Sequence, residues 1–177
     1  KIAGLKMCKA YNAQFKTDFR AVMPTNLYGK NDNYDNLNSH VLAALIKKIV
    51  LAKKQNRKSF IVWGTGKPKR EFLHVDDLAD ATVKIMNLSK KKYNKVAGEK
   101  FPFINVGSGS DISIKDLAKL ISRIVGFKGK MIFDKSKPDG TYRKLMDNTK
   151  LRKIKWRPKI SLNSGIKKTI EDFKSTI

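Results

Sequence analysis

Cysteine occurs once, at Cys8, and histidine twice, at His40 and His74, in a chain of 177 residues. One thiol excludes an internal disulfide, and so few sulfur and imidazole ligands argue against a zinc site of the common cysteine/histidine type. The chain thus suits a reducing cytosol, and Cys8, within a helical run, reads as a buried small hydrophobe rather than a reactive thiol. No apolar run approaches the roughly 18 residues of a membrane span, and the first residues lack a charged-then-apolar leader. Those absences predict a soluble, cytoplasmic protein with no metal and no membrane partner. Also missing is a Gly-x-Gly-x-x-Gly sequence between strand and helix: Gly64-Thr-Gly66 runs into Lys67-Pro68, and Gly107-Ser-Gly109 lacks the third glycine. The chain carries no dinucleotide fingerprint of its own.

Acidic residues are scarce too: 15 aspartates and glutamates against 39 lysines and arginines leave a formal net charge of +24. A balance so basic would ordinarily point to nucleic acid or an anionic membrane surface. Its distribution points elsewhere, because lysine outnumbers arginine and falls on polar helix positions such as Lys47, Lys48, Lys53 and Lys54, with no basic block interleaved with aromatics. Readout of bases and phosphates favours the arginine fork, so the excess reads as solvated surface and no nucleic-acid partner is expected. With 41% hydrophobic residues, the chain can fill one domain core or parts of two.

Periodicity orders the elements. Residues 1–16 predict a helix with Ile2, Leu5, Cys8 and Phe15 at apolar positions, and its lack of a cap suggests a helix already under way at Lys1. Residues 19–23 predict a short buried strand broken by Pro24, with a turn at Gly29 and a polar loop over 31–38. Ser39 is placed to cap a helix to about Gln55, in which Val41, Leu42, Leu45, Ile46, Ile49 and Val50 form one apolar stripe. Strands follow at 59–63 and 72–75, then a helix opened by Asp76 or Asp77 with Leu78, Val83 and Met86 on its apolar side. Residues 90–100 read as a charged surface loop. A strand at 103–106, a helix from a Ser113 cap to Val125, a strand at 131–134, a short helix from Leu145 to Ile154 and a terminal helix capped by Ser161 complete the chain. Strands alternating with helices imply an α/β fold with a largely parallel sheet.

Several short segments carry more than periodicity. Arg70-Glu-Phe-Leu-His-Val-Asp-Asp-Leu-Ala-Asp80 joins a cation, a short strand and a capped helix. With Pro24-Thr-Asn-Leu-Tyr-Gly29, Asn38-Ser-His40, Val62-Trp-Gly-Thr-Gly66 and Ser136-Lys-Pro-Asp-Gly140, it resembles the GDP-L-fucose synthases of the extended short-chain dehydrogenase/reductase family along essentially the whole chain. The resemblance is to the C-terminal part of that family. It implies an incomplete Rossmann-like parallel sheet built from residues 1–37 and 72–110, plus a smaller mixed α/β sugar-nucleotide lobe from 38–71 and 111–177. The family's glycine-rich NADP loop, its catalytic serine and cysteine, and the tyrosine of its Tyr-x-x-x-Lys pair would all fall before Lys1, so the chain alone is expected to be inactive.

The resemblance also assigns roles. Lys1, at the head of Lys1-Ile-Ala-Gly4, resembles the lysine that holds the nicotinamide ribose and lowers the tyrosine pKa. Pro24, Thr25, Asn26 and Leu27 match the segment that contacts the nicotinamide end of NADP(H), and His40 matches a cofactor-contacting acid in epimerisation, a role that suits imidazole. His74 reads as structural. Lys48, Trp63, Arg70, Asp139 and Lys144 match contacts to the sugar nucleotide: Arg70 a planar fork for the diphosphate, Trp63 a flat wall, Asp139 an acceptor. Lys48 departs from the family's usual arginine and gives up bidentate geometry while keeping charge. The activity implied is C3/C5 epimerisation of GDP-4-keto-6-deoxy-D-mannose, then reduction of its C4 ketone with NADPH, in a homodimer formed through the Tyr-x-x-x-Lys helix. Two alternatives are a 4-epimerase or 4,6-dehydratase acting on another nucleotide sugar, and a noncatalytic basic binding module.

Overall fold

The structure is a computed structural model in which residues 1–35, 38–98 and 102–177 are described; parts of the expected loops, at 36–37 and 99–100, lie outside them. In chain order the elements are α1 (Ile2–Gln14), β1 (Ala21–Pro24), β2 (Asn26–Tyr28), α2 (Val41–Lys54), β3 (Ser59–Trp63), β4 (Lys69–His74), α3 (Val75–Met86), α4 (Lys90–Ala97), β5 (Phe103–Val106), β6 (Asp111–Ser113), α5 (Ile114–Val125), β7 (Lys130–Asp134), β8 (Arg143–Lys144), α6 (Thr149–Lys153) and α7 (Leu162–Lys174). The fold is mixed α/β with parallel pairing dominant, as the alternation of strands and helices predicts. β1 pairs with β5, β2 with β4, β3 with β7 and β4 with β8 in parallel, while β4 and β6 run antiparallel.

Two hydrophobic cores result. The larger packs α2, α5 and α7 against β3 and β4 through Leu42, Ile46, Ile49, Phe60, Leu117, Ile121, Ile166 and Phe173. The other gathers Leu73, Ala81, Ile85, Tyr93, Ile104 and Val106 around Leu151, Ile154 and Trp156, with Val22 and Leu27 against them. α1 buries no residue, and Cys8 is half-buried rather than buried.

Several expectations are corrected. α2 is capped by His40, not Ser39, and no side chain bonds its first turn. Residues 90–97 form a helix rather than a loop, because the Ser89 hydroxyl accepts the Lys92 amide and Tyr93 and Ala97, four apart, face the second core. On α3 the buried face is Asp77, Ala81 and Ile85, leaving Val83 and Met86 exposed. Asp77 takes the inner position because its two carboxylate oxygens accept the backbone N–H groups of Lys159 and Ile160 at 3.0 Å each. That helix begins at Val75, one residue before the expected aspartates, with the buried His74 as its cap through Nδ1, which accepts from the Asp76 amide. The helix expected from Leu145 to Ile154 shrinks to the five residues of α6, and the two- and three-residue strands β2, β6 and β8 are too short to leave a period.

α7 lies so close to β2 that a Cβ on Gly165 would meet the Tyr28 hydroxyl and come within 2.9 Å of two ring carbons. Alanine favours a helix interior by up to ~1 kcal/mol over glycine, but overpacking a dense core costs about 1–3 kcal/mol. Gly165→Ala therefore lowers stability by about 1–2 kcal/mol, and adding Tyr28→Phe recovers part of the loss. Denaturant midpoints of the two variants check both signs.

Candidate functional site

β3 and β7 are parallel, so Trp63 and Asp134 end them on the same edge, and carboxyl ends of parallel strands are where α/β sheets meet ligands. The loops that leave this edge are tied together. The Gly64 amide donates to the Asp134 carbonyl at 2.9 Å, and the Thr65 amide and hydroxyl donate to the two carboxylate oxygens of Asp139 at 2.9 and 2.5 Å. Gly64 has φ of +76°, and a Cβ there would run into the Asp139 carboxylate, so both backbone shape and room demand glycine. The Thr65 hydroxyl, with its amide, holds the Asp139 carboxyl below the usual carboxylate range. Asp139 thus latches the two loops.

Two adjoining hollows of about 150 and 210 Å³ open above this latch and share Val41, Trp63 and Ile114. Val41, expected in the buried stripe of α2, is 37% exposed because it forms this wall. Trp63 is 58% exposed. Lys48 reaches the ring from α2, its Nζ 4.7 Å from the centroid and 3.4 Å from the Ile61 carbonyl, and burial pushes its pKa below the ordinary lysine value. Arg70 lines the first hollow with Asp139, and its Nη1 donates to the carbonyls of Lys69 at 2.7 Å and Thr141 at 2.5 Å. Lys144 stands beside Arg70 in the β4–β8 register. The structure thus brings Lys48, Trp63, Arg70 and Asp139 around one open, cationic, aromatic-walled depression and puts Lys144 at its edge. That chemistry fits a flat ring carrying anionic groups.

The residues matched to the cofactor lie elsewhere. Pro24 ends β1, and the Thr25 amide continues its pairing to the Val106 carbonyl at 3.0 Å. The Thr25 hydroxyl and the Asn26 amide both donate to the Glu71 carbonyl, at 3.3 and 2.7 Å, so these side chains face β4, while Leu27 packs on the second core. What this segment can offer a ligand is chiefly backbone and the Pro24 ring. His40 is exposed at the start of α2. Lys1 is exposed at the start of α1, its carbonyl bonded to Leu5, and among the described residues no hydrogen bond, ion pair or ring contact ties it to His40 or to the Trp63 hollows.

Two acids escape the sequence reading. Glu71 is fully buried between Arg70 and Phe72, and an acid at an inward position of a strand is the signal that could have found it. Asp32 lies in the loop before α2; burial pushes its carboxyl up, the Asn33 amide and the nearby His40 oppose that, and its Oδ2 is buried with no hydrogen bond among the described residues.

A profile of the NAD dependent epimerase/dehydratase family matches residues 1–100. The chain belongs to that family. Within it, the chain is 53% identical over 97% of its length to a putative GDP-L-fucose synthase 2 of Arabidopsis thaliana, covering 49% of that protein. It is 47% identical over 98% of its length to the GDP-L-fucose synthase of Escherichia coli K12, covering 54% of it. A crystal structure of a GDP-D-glycero-L-gluco-heptose synthase from Campylobacter jejuni, in the presence of NADPH, superposes with a TM-score of 0.89 at 38% identity, over 98% of this chain and 58% of that one. The chain spans about half the length of the curated family members it matches.

The depressed pKa of Lys48 gives the depression a pH signature. Its charge, and the anion affinity it supplies, is present at neutral pH and lost as pH rises through a value below the ordinary 10.5. Affinity for inorganic pyrophosphate, followed by calorimetry, is expected to fall on the alkaline side earlier than in Lys48→Arg, whose guanidinium stays charged.

Proposed function

We propose that this chain is part of an NADPH-dependent epimerase/reductase that converts GDP-4-keto-6-deoxy-D-mannose to GDP-L-fucose. The observation that carries this reading is the Lys48–Trp63–Arg70 depression at the carboxyl edge of β3 and β7, in a chain about half identical to proteins named for that product. In it, Arg70, Lys48 and Lys144 hold the diphosphate, Trp63 stacks on the guanine, and the Asp139 latch keeps the two loops apart by a fixed distance. We place residues 1–37 and 72–110 with the nucleotide-binding sheet and 38–71 and 111–177 with the sugar-nucleotide lobe, and we infer a homodimer through α1 and a cytoplasmic setting. Among the described residues no helix is long and apolar enough to cross a membrane.

The residues present fit the nicotinamide end of NADP(H). Pro24, Thr25, Asn26 and Leu27 sit at the carboxyl end of β1 beside β5, with the Thr25 hydroxyl and the Asn26 side-chain amide held by the Glu71 carbonyl, so the segment is firmly placed at a strand end, where α/β sheets meet ligands. When bound, the cofactor supplies the hydride that reduces C4. Lys1 holds the ribose and stabilises a phenolate, lowering the pKa of the phenol that protonates the C4 oxygen. Before reduction, the C4 ketone acidifies the protons on C3 and C5. A base on one face removes each, and His40 returns a proton from the other face. Reduction comes last because it removes the activating carbonyl.

The protein as its source makes it, given GDP-4-keto-6-deoxy-D-mannose and NADPH in heavy water, is expected to yield GDP-L-fucose with deuterium at C3 and C5 and one NADPH oxidised per product. NADPH oxidation without deuterium at those carbons contradicts the epimerase part. A tightly bound cofactor regenerated in each cycle, with no net oxidation, points instead to a 4-epimerase or 4,6-dehydratase.

A further inference from the structure

Trp63 is approached by a second ammonium. Lys137 Nζ lies 5.8 Å from the same indole centroid that Lys48 Nζ approaches to 4.7 Å. Neither lysine belongs to an ion pair among the described residues. The loop that carries Lys137 is pinned on both sides. Before it, the Ser136 amide and hydroxyl donate to the Asp134 carboxylate at 3.0 and 2.6 Å, and the Lys137 amide donates to the Asp134 carbonyl at 3.3 Å. After it come Pro138 and the Asp139 latch to Thr65. Its backbone is therefore fixed at the mouth of the depression while its side chain can swing.

Two like charges drawn to one exposed ring repel each other, and the attraction of an ammonium to a solvated indole is weak beside a charge-assisted hydrogen bond to phosphate. An anion arriving at the ring edge would take both ammonium groups and leave the ring surface to a flat base. We propose that Lys137 is a substrate-binding residue, pairing with Lys48 on the diphosphate of the sugar nucleotide and leaving the Trp63 face when that ligand binds. This rests on the reading of the depression as a sugar-nucleotide site. A single ammonium lacks the fork of a guanidinium, and a second ammonium on the same ring supplies a two-point grip on an anion.

The test is calorimetry on the complete protein saturated with NADPH, using GDP, guanosine and UDP as probes and wild type, Lys137→Met and Lys137→Arg as proteins. Lys137→Met is expected to weaken GDP about tenfold and leave guanosine unchanged, and Lys137→Arg to recover most of the loss. On wild type, GDP is expected to change Trp63 emission as the lysines leave the ring. The exposed position makes a folding defect easy to separate: equal thermal midpoints for wild type and Lys137→Met are expected. Unchanged GDP affinity in Lys137→Met, or an equal loss for guanosine and GDP, overturns the assignment. If UDP binds instead of GDP and shows the same Lys137 dependence, the GDP-sugar function falls while the Lys137 assignment stands. If wild type binds neither nucleoside diphosphate, both fall.

Discussion

Glu71 is the point on which the two halves of this structure depend. It is 0% exposed, and every acceptor it has is used. Its Oε1 accepts the Gly109 amide at 2.6 Å with the Ser108 hydroxyl at 3.5 Å, its Oε2 accepts the Met146 amide at 2.9 Å, and its carbonyl accepts Thr25 and Asn26. A Cβ on Gly107 would lie 2.5 Å from Oε1, so the turn after β5 closes directly onto this side chain. One residue thereby fixes the segment matched to the cofactor through its carbonyl, and the turn between β5 and β6 and the segment between β8 and α6 through its carboxylate. The carboxylate is buried, and a lost hydrogen bond to a charged group costs about 1.5–3 kcal/mol, so the side chain cannot be trimmed without loosening the Gly109 turn and the segment at Met146. The neighbouring residue, Arg70, faces the opposite side of the strand and reaches the depression through Thr141. The position of the cation in the site is in this way tied to the position of 24–27.

A pair of acids does the same for the end of the chain. Asp77 accepts the amides of Lys159 and Ile160, and Asp80 accepts the Trp156 indole N–H at 2.6 Å while pairing with Lys159, which holds its carboxyl low. The residues 156–160 are thus clamped to α3, and Trp156 is carried into the second core. The stretch that drew attention as Arg70 to Asp80 is mostly architecture. Arg70 faces the site, whereas Glu71, His74 and Asp77 hold backbone and Asp80 holds the Trp156 and Lys159 side chains.

The sequence made the long elements legible because their physics is local: the Leu42-to-Val50 stripe, the Ser113 and Ser161 caps, and the strands at 59–63 and 103–106 each express a period or a cap within a few residues. Lys90 to Ala97 was hidden by its four lysines and carries its signal in Ser89, Tyr93 and Ala97 alone. Val83 and Met86 misled because burial on α3 is decided by the distant Lys159 and Ile160 amides, which pull Asp77 inward. The depression was readable residue by residue through Trp63 and Arg70. The use of Asp139 as a latch was not, since its partner Thr65 lies 74 positions away. Glu71 showed only as an acid at an inward strand position, and what it holds was unreadable for the same reason, its donors lying 37 to 75 positions distant.

Amide hydrogen exchange in Glu71→Ala, compared with wild type in the complete protein, tests the central role given to this residue most directly. The Gly109 and Met146 amides are expected to lose protection together, while the Thr25 amide, bonded to Val106, and the α2 and α5 core amides keep theirs. Unchanged protection at Gly109 and Met146, or a uniform loss across both cores, would contradict a connection made at this side chain.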